Sequence, residues 1–189
     1  MTATPIADKQ KLEIEELNRI SPEAYEQSSK LPLVVVLDNV RSLHNIGSVF
    51  RTADAFRIER LYLCGITATP PQAEIHKTAL GAEHTVKWEY AESTLEVVHR
   101  LAARGYAVYA VEQTRNSTLL NRFSPVPHTP CAVVLGNEVK GVQQQVVDAC
   151  VGSLEIPQYG TKHSLNVSVA AGIVLWHLAD RMGIAAVEP

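Results

Sequence analysis

Three short segments of this chain carry most of the side chains able to do chemistry, and each is polar within otherwise apolar sequence. The first, residues 38–53, contains Asn45 and, six residues later, Arg51, with His44 and Ser48 close by. A guanidinium is permanently charged and offers a planar fork of N–H donors, which suits a phosphate or a reacting oxygen. Asn45 is a good helix cap, and Gly47 in the first turn would permit close backbone approach. On that reading Ile46, Val49, Phe50 and Ala53 share a buried face, and Arg51 stands near a helix start, where the macrodipole opposes a cation. Either a surface ion pair or a ligand must then justify the arginine.

The second segment, residues 133–142, is an apolar run that enters a Gly136-x-Glu138-x-x-Gly141 turn and then a helix. Such a turn presents backbone N–H groups to a ligand. It is neither a Walker loop nor a dinucleotide fingerprint, since GxxxxGK[ST] and GxGxxG are both absent. Glu138 is either a site group or a helix N-terminal carboxylate favoured by the dipole. The third segment, residues 155–172, runs from Ile156-Pro157 through a polar loop to Ser164-Leu165-Asn166-Val167-Ser168, which opens a helix. Ser164 or Asn166 would cap it. The neighbouring His163 and Ser164 do not make a hydrolase, because no GxSxG elbow and no placed carboxylate accompany them.

The elements that must position these segments alternate between strand and helix. Strands are expected at 33–37, 60–64, 85–88, 106–111, 131–135 and 153–156, and helices around 46–53, 74–80, 91–104, 142–150 and 166–181. Leu33 to Leu37 is unbrokenly apolar, as in a strand buried on both faces of a parallel sheet. Residues 113–130 read as a polar, proline-containing loop. The fold class is therefore α/β, a mostly parallel sheet with helices on both faces, and each segment follows a strand end, where ligands bind in such sheets. Residues 1–32 read as a helical appendage, with Leu12, Leu17 and Ile20 spaced as on a surface helix and Ser21-Pro22 restarting the chain. Residues 33–189 form the domain. The last helix is apolar nearly all round through Trp176, which predicts burial on more than one side and so a subunit interface.

Composition bounds the partners. No apolar run reaches the ~18 residues needed to cross a bilayer, so no membrane association is expected. Residues 1–10 lack the apolar core of a secretory signal. Cys64, Cys131 and Cys150 show no paired spacing and read as buried reduced thiols, with no metal site expected. A cytoplasmic protein fits these features. The net charge of −3 argues against a protein that coats nucleic acid non-specifically. An RNA partner must therefore come from the motifs, with Arg41, Arg57, Arg60, Lys77 and Lys162 as candidates to track a backbone.

Taken in order, the three segments resemble the SpoU (TrmH-like) branch of the SPOUT RNA methyltransferases. The likeness spans residues 33–180 and rests on Asn45 with Arg51, on the Gly136-x-Glu138 turn, and on Ile156-Pro157 with Ser164 to Ser168. The resemblance implies an RNA ribose 2'-O-methyltransferase that uses S-adenosylmethionine, acts on tRNA or rRNA and works as a homodimer. It also implies a C-terminal deep trefoil knot, which no periodicity would suggest. By the same likeness the cofactor would be held by Leu135, Gly136, Ile156, Pro157, Gln158 and Leu165, and by Thr114 in the loop after Val111. Gln158 departs from the methionine common among relatives, a tolerable change where backbone groups do the holding. Arg51, Asn45, Glu138, Ser164 and Asn166 would form the catalytic set. Two rival readings are a non-catalytic assembly factor of the same fold, which binds cofactor and RNA, and a methyltransferase acting on protein or small molecules.

Overall fold

The computed structural model describes residues 10–183, so most of the N-terminal stretch read above as lacking a secretory signal lies outside the described residues. Among those described, β1 (Leu31–Asp38), β2 (Ile58–Cys64), β3 (Trp88–Ala91), β4 (Ala107–Val111), β5 (Thr118–Leu119), β6 (Cys131–Leu135) and β7 (Gly152–Glu155) form one sheet. Its order is β3-β2-β1-β6-β4-β7-β5, and every pairing is parallel. The helices are α1 (Pro22–Gln27), α2 (Leu43–Ala55), α3 (Ala73–Ala79), α4 (Ala82–Thr85), α5 (Thr94–Ala103), α6 (Gln144–Ala149) and α7 (Val167–Met182).

The continuous apolar run of β1 is explained by cover on both faces. Leu33, Val35 and Leu37 pack with Ile46 and Phe50 of α2 and with Val174 and Leu178 of α7. Val34 and Val36 point the other way, toward Val97 and Leu101 of α5 and Val146 of α6. This alternation is the pleat of the strand, and β6 repeats it with Val133 and Leu135 against Ala132 and Val134. Asp38, at the end of β1, is fully buried. It accepts hydrogen bonds from Thr94 Oγ1 (2.7 Å), Gln143 N (2.9 Å), Gln143 Nε2 (2.8 Å) and Asn39 Nδ2 (2.8 Å), and so ties this inner strand to the starts of α5 and α6. With four donors, a buried carboxylate is tolerated here.

Several boundaries differ from the sequence expectation. The segment read as a surface helix before Ser21 holds a single 3-10 turn, Ile14–Leu17, and Leu12 and Leu17 stay exposed. Ser21 does restart the chain: its side chain caps α1 by accepting from Ala24 N, with Pro22 in the first turn. The α1 residue Tyr25 is buried in the domain core. The strand expected at 85–88 begins at Trp88, because Thr85 closes α4 with hydrogen bonds to Asp54 Oδ1 (2.6 Å) and Ala82 O (3.2 Å). The strand β4 is half-buried on alternate residues, unlike β1. One of its faces is covered in part by Phe123, whose ring meets Tyr109 edge-on at 4.9 Å, and opens into a cleft at Val111. The loop 113–130 contains β5 and a further 3-10 turn, Leu120–Arg122, too short to carry a periodic signal.

Cys64 and Cys131 are buried free thiols and Cys150 is half-buried, with desolvation raising them to about 12, 11 and 12 respectively. In α7, Val167, Ala171, Val174, Leu175, Leu178 and Ala179 are buried, whereas Val169, Ile173 and Trp176 are exposed on one stripe. A single chain therefore covers only part of that helix.

Candidate functional site

The loops after β4, β6 and β7, three neighbours in the sheet, enclose a cleft of about 460 Å³. Of the residues assigned to the cofactor by the resemblance, Leu135, Gly136, Ile156, Gln158, Leu165 and Thr114 line it, and so do Glu138 and Ser164. Pro157 does not. The chain brings its two flanking residues to the wall while the proline itself stands aside. Arg51, Asn45 and Asn166 also lie outside the lining.

The floor of the cleft is the turn after β6. Asn137 and Gly141 exchange backbone hydrogen bonds of 3.1 and 2.9 Å and pinch the turn shut. Inside it, Asn137 Oδ1 accepts from Val139 N (3.0 Å) and Lys140 N (3.1 Å), and Asn137 Nδ2 donates to Asn39 O (2.8 Å). Glycine is required at two points. A Cβ on Gly136 would lie 2.1 Å from Gly141 C and 2.2 Å from Val142 N, and Gly141 has a φ of +68°. Glu112, directly after β4, completes the turn by accepting from Val142 N (3.0 Å) and Gln113 N (2.9 Å). Sequence reasoning misses both Glu112 and Asn137. A signal for Glu112 does exist, since it follows β4 as Gly136 follows β6.

The helix α2 starts earlier than its sequence suggests. Ser42 is the cap, accepting from Asn45 N at 3.3 Å, because its hydroxyl already satisfies the free N–H of the first turn. Asn45 is thereby released for tertiary contacts, and Gly47 falls in the second turn. A Cβ at Gly47 would meet Thr78 Oγ1 at 2.1 Å and Ile75 O at 2.3 Å, so the close approach there is between α2 and α3. Arg51 is likewise well inside the helix and no longer opposes the dipole at its start. It shares the face of His44 and Ser48, is exposed, and has no hydrogen bond or ion pair among the described residues. Of the basic residues considered for RNA, Arg60 is paired with Glu89 at 3.5 Å, while Arg41, Lys77 and Lys162 are exposed.

The three segments meet through one chain of hydrogen bonds. The Glu138 carboxylate accepts from Arg41 N (3.1 Å), Ser42 N (3.0 Å) and Asn45 Nδ2 (3.2 Å). Asn45 Oδ1 accepts from Asn166 Nδ2 (3.1 Å), and Asn166 Oδ1 caps α7 by accepting from Ser168 N (2.9 Å), Ser168 Oγ (2.6 Å) and Val169 N (3.4 Å). Of the two candidate caps, Asn166 serves. Glu138 is a helix N-terminal carboxylate after all, but of α2, distant in sequence, rather than of the helix it precedes. Burial pushes its carboxyl up, yet the Ser42 and Arg41 N–H groups and the Asn45 amide outweigh this and hold it below the usual range. A carboxylate depressed in this way adds stability above its unfolded pKa, and loses it as pH falls through the lower folded value. At neutral pH the link is intact.

The residues that match a known family include all of this machinery. Residues 32–176 fit the SpoU rRNA Methylase family. The chain is 35% identical over 148 residues to a tRNA (guanosine(18)-2'-O)-methyltransferase of Aquifex aeolicus, covering 76% of this chain and 67% of that protein. It is 31% identical to a 23S rRNA (guanosine-2'-O-)-methyltransferase of Neisseria meningitidis, covering 79% and 59%. With such relatives the chain thus shares between roughly three-fifths and two-thirds of their length. Among solved structures, the A. aeolicus TrmH/SpoU tRNA modifying enzyme superposes with a TM-score of 0.77 at 25% identity, over 88% of this chain and 84% of that one. An S-adenosylmethionine-bound rRNA methyltransferase from Sinorhizobium meliloti gives 0.73 at 28% identity, over 86% and 61%. With the family pattern spanning most of the domain and the fold shared with solved members, this chain belongs to the SpoU rRNA methylase family.

Proposed function

We propose that the protein transfers a methyl group from S-adenosylmethionine to a ribose 2'-hydroxyl of tRNA or rRNA. The observation that carries this reading is the hydrogen-bond chain Glu138–Asn45–Asn166, which joins three distant segments beside one cleft. The names of the Aquifex and Neisseria relatives support an RNA ribose as the acceptor. The cleft fits the cofactor. Its volume falls within the roughly 300–1,000 Å³ of ligand pockets, and apolar Leu135, Ile156 and Leu165 stand beside the N–H-bearing turn at Gly136. When bound, S-adenosylmethionine supplies an electrophilic methyl group on a sulfonium centre.

The chain's own residues then have to orient a hydroxyl and strengthen it as a nucleophile. Arg51 is assigned to that task. Guanidinium stays protonated, so its part is positioning and electrostatic polarisation rather than proton removal. Ser164 stands at the cleft wall. Asn45, Glu138 and Asn166 hold the turn, α2 and α7 in register. A knotted C-terminal passage is part of the same proposal, supported by the insertion of β6 between β1 and β4 with β7 beyond them. No described helix is long and apolar enough to cross a membrane. A cytoplasmic site of action accords with an RNA substrate.

The proposed assembly is a homodimer. Val169, Ile173 and Trp176 are 51%, 39% and 60% exposed at helical spacing on α7, an apolar stripe that a second copy would cover. Trp176→Asp should therefore convert the dimer to monomer without unfolding the chain, as read by light scattering after size exclusion. A monomeric wild type would remove the interface.

Methyl-tritiated S-adenosylmethionine incubated with the protein and total RNA from cells lacking the gene should label RNA, and nuclease digestion should release a 2'-O-methylated nucleoside. Cofactor binding without label would instead favour the non-catalytic reading. Label that resists ribonuclease would point to a protein or small-molecule acceptor.

A further inference from the structure

Remote from the cleft, His76 on α3 and Glu83 and His84 on α4 each bring one ligand atom to within 4.8 Å of the others. His76 Nδ1 is 2.5 Å and His84 Nε2 is 3.4 Å from the same oxygen, Glu83 Oε1. None of the three lines the cleft. The two imidazoles are largely exposed, while the Glu83 side chain is only 4% exposed. Its second oxygen, Oε2, is buried and has no hydrogen-bond partner among the described residues. Such an atom calls for an explanation, because a carboxylate oxygen removed from water without a donor is costly.

We propose that His76, Glu83 and His84 bind a Zn²⁺-class divalent transition-metal ion. Two imidazoles and one carboxylate are a donor set for zinc rather than for magnesium or calcium, which prefer all-oxygen shells. Zinc bonds of about 2.0–2.2 Å in a tetrahedron set their ligand atoms roughly 3.3–3.6 Å apart. The His84–Glu83 separation of 3.4 Å already meets that spacing. His76 has to withdraw by about 1 Å from its present hydrogen bond to meet the same zinc geometry, which its exposed side chain can do by turning. An ion here compensates the whole buried carboxylate, including Oε2, where a histidine N–H compensates only Oε1. Water completes the shell on the open side.

The ion acts as a staple. It joins α3 to α4, and both lean on α2: Thr78 Oγ1 of α3 donates to His44 O at 3.0 Å, and Thr85 of α4 donates to Asp54 at 2.6 Å. The helix that carries Asn45 and Arg51 is thus braced from below. In the sequence the triad is spread over two short helices and shows no familiar ligand spacing, so periodicity and motif reading lead to no metal site there.

The test uses untagged full-length protein, stripped of metal by a chelator and titrated with Zn²⁺ by calorimetry in a non-coordinating buffer at neutral pH. One ion per chain should bind with micromolar affinity, and Co²⁺ in its place should give the visible absorption of a four-coordinate centre. His76→Ala and His84→Ala should each weaken binding more than ~10-fold, the least that loss of even an outer-shell partner costs. His84 is exposed and stands 3.4 Å from Glu83 Oε1, so metal-free His84→Ala should melt with the metal-free wild type. Metal-free His76→Ala should melt lower, because it also removes the 2.5 Å partner of the buried carboxylate. Absence of heat and of a Co²⁺ band in the wild type overturns the site. Undiminished binding in both variants overturns it equally, since the ion would then sit on other groups such as the thiols.

Discussion

Arg51→Lys should reduce methyl transfer to RNA by ~10²–10³-fold, the range seen when one preorganised transition-state donor is lost. S-adenosylmethionine affinity and thermal stability should barely change. The side chain is exposed and makes no hydrogen bond or ion pair among the described residues, so its removal strands no partner inside the protein. Arginine and lysine have nearly equal helix propensity, and surface changes of this kind usually stay within about 0.5 kcal/mol. What lysine cannot reproduce is the planar fork, which holds two oxygens at once and fixes the approach of a hydroxyl. Single-turnover transfer from tritiated cofactor, with calorimetry for cofactor binding and a thermal melt, separates these effects. A lysine variant that methylates at the wild-type rate would take Arg51 out of the reaction.

Gly136→Ala should weaken S-adenosylmethionine binding beyond detection and destabilise the fold by about 1–3 kcal/mol, the usual cost of overpacking. The new Cβ would lie 2.1 Å from Gly141 C and 2.2 Å from Val142 N. Those are backbone atoms, held by the Asn137–Gly141 bridge and by Glu112, so no flexible side chain can yield. The turn has to open. Opening it moves Glu138, which releases the N–H groups of Arg41 and Ser42 and the amide of Asn45. The damage thus reaches both the cofactor wall and the start of α2. Gly160→Ala is the matched control, because a Cβ added there would meet nothing within 4 Å and its backbone needs no positive φ. Calorimetric titration with S-adenosylmethionine and denaturant unfolding should show the first variant impaired and the second unchanged. Tight binding by Gly136→Ala would mean that the cofactor lies elsewhere.

Local pattern is enough for the frame of this protein. The apolar run Leu33–Leu37 and the helical spacing of Ile46, Val49, Phe50 and Ala53 each report which faces are covered, and periodicity encodes that within a few residues. The three polar segments are legible for the same reason, as are their places at strand ends. Patterning also shows that α7 is apolar nearly all round, and the folded chain leaves its Val169, Ile173 and Trp176 exposed. Short elements escape it. The helix α4 and the strand β5 span about one period each, too little to show a pattern, and are held where Thr85 meets Asp54 and Thr118 meets Leu154 across the fold.

Which group partners which is settled only in the folded chain. Asn45 reads as a cap in sequence, yet Ser42 takes that place and Asn45 instead links Glu138 to Asn166, residues 93 and 121 positions away. Glu138 reads as a carboxylate for the next helix and serves α2 instead. The buried carboxylate of Glu83, facing two histidines, has no sequence signal at all. The physical reason is common to Asn45 and Glu138. A hydrogen bond is satisfied by whichever donor arrives at about 3 Å, and in a crossed parallel sheet that donor comes from a strand end brought near by topology rather than by spacing along the chain.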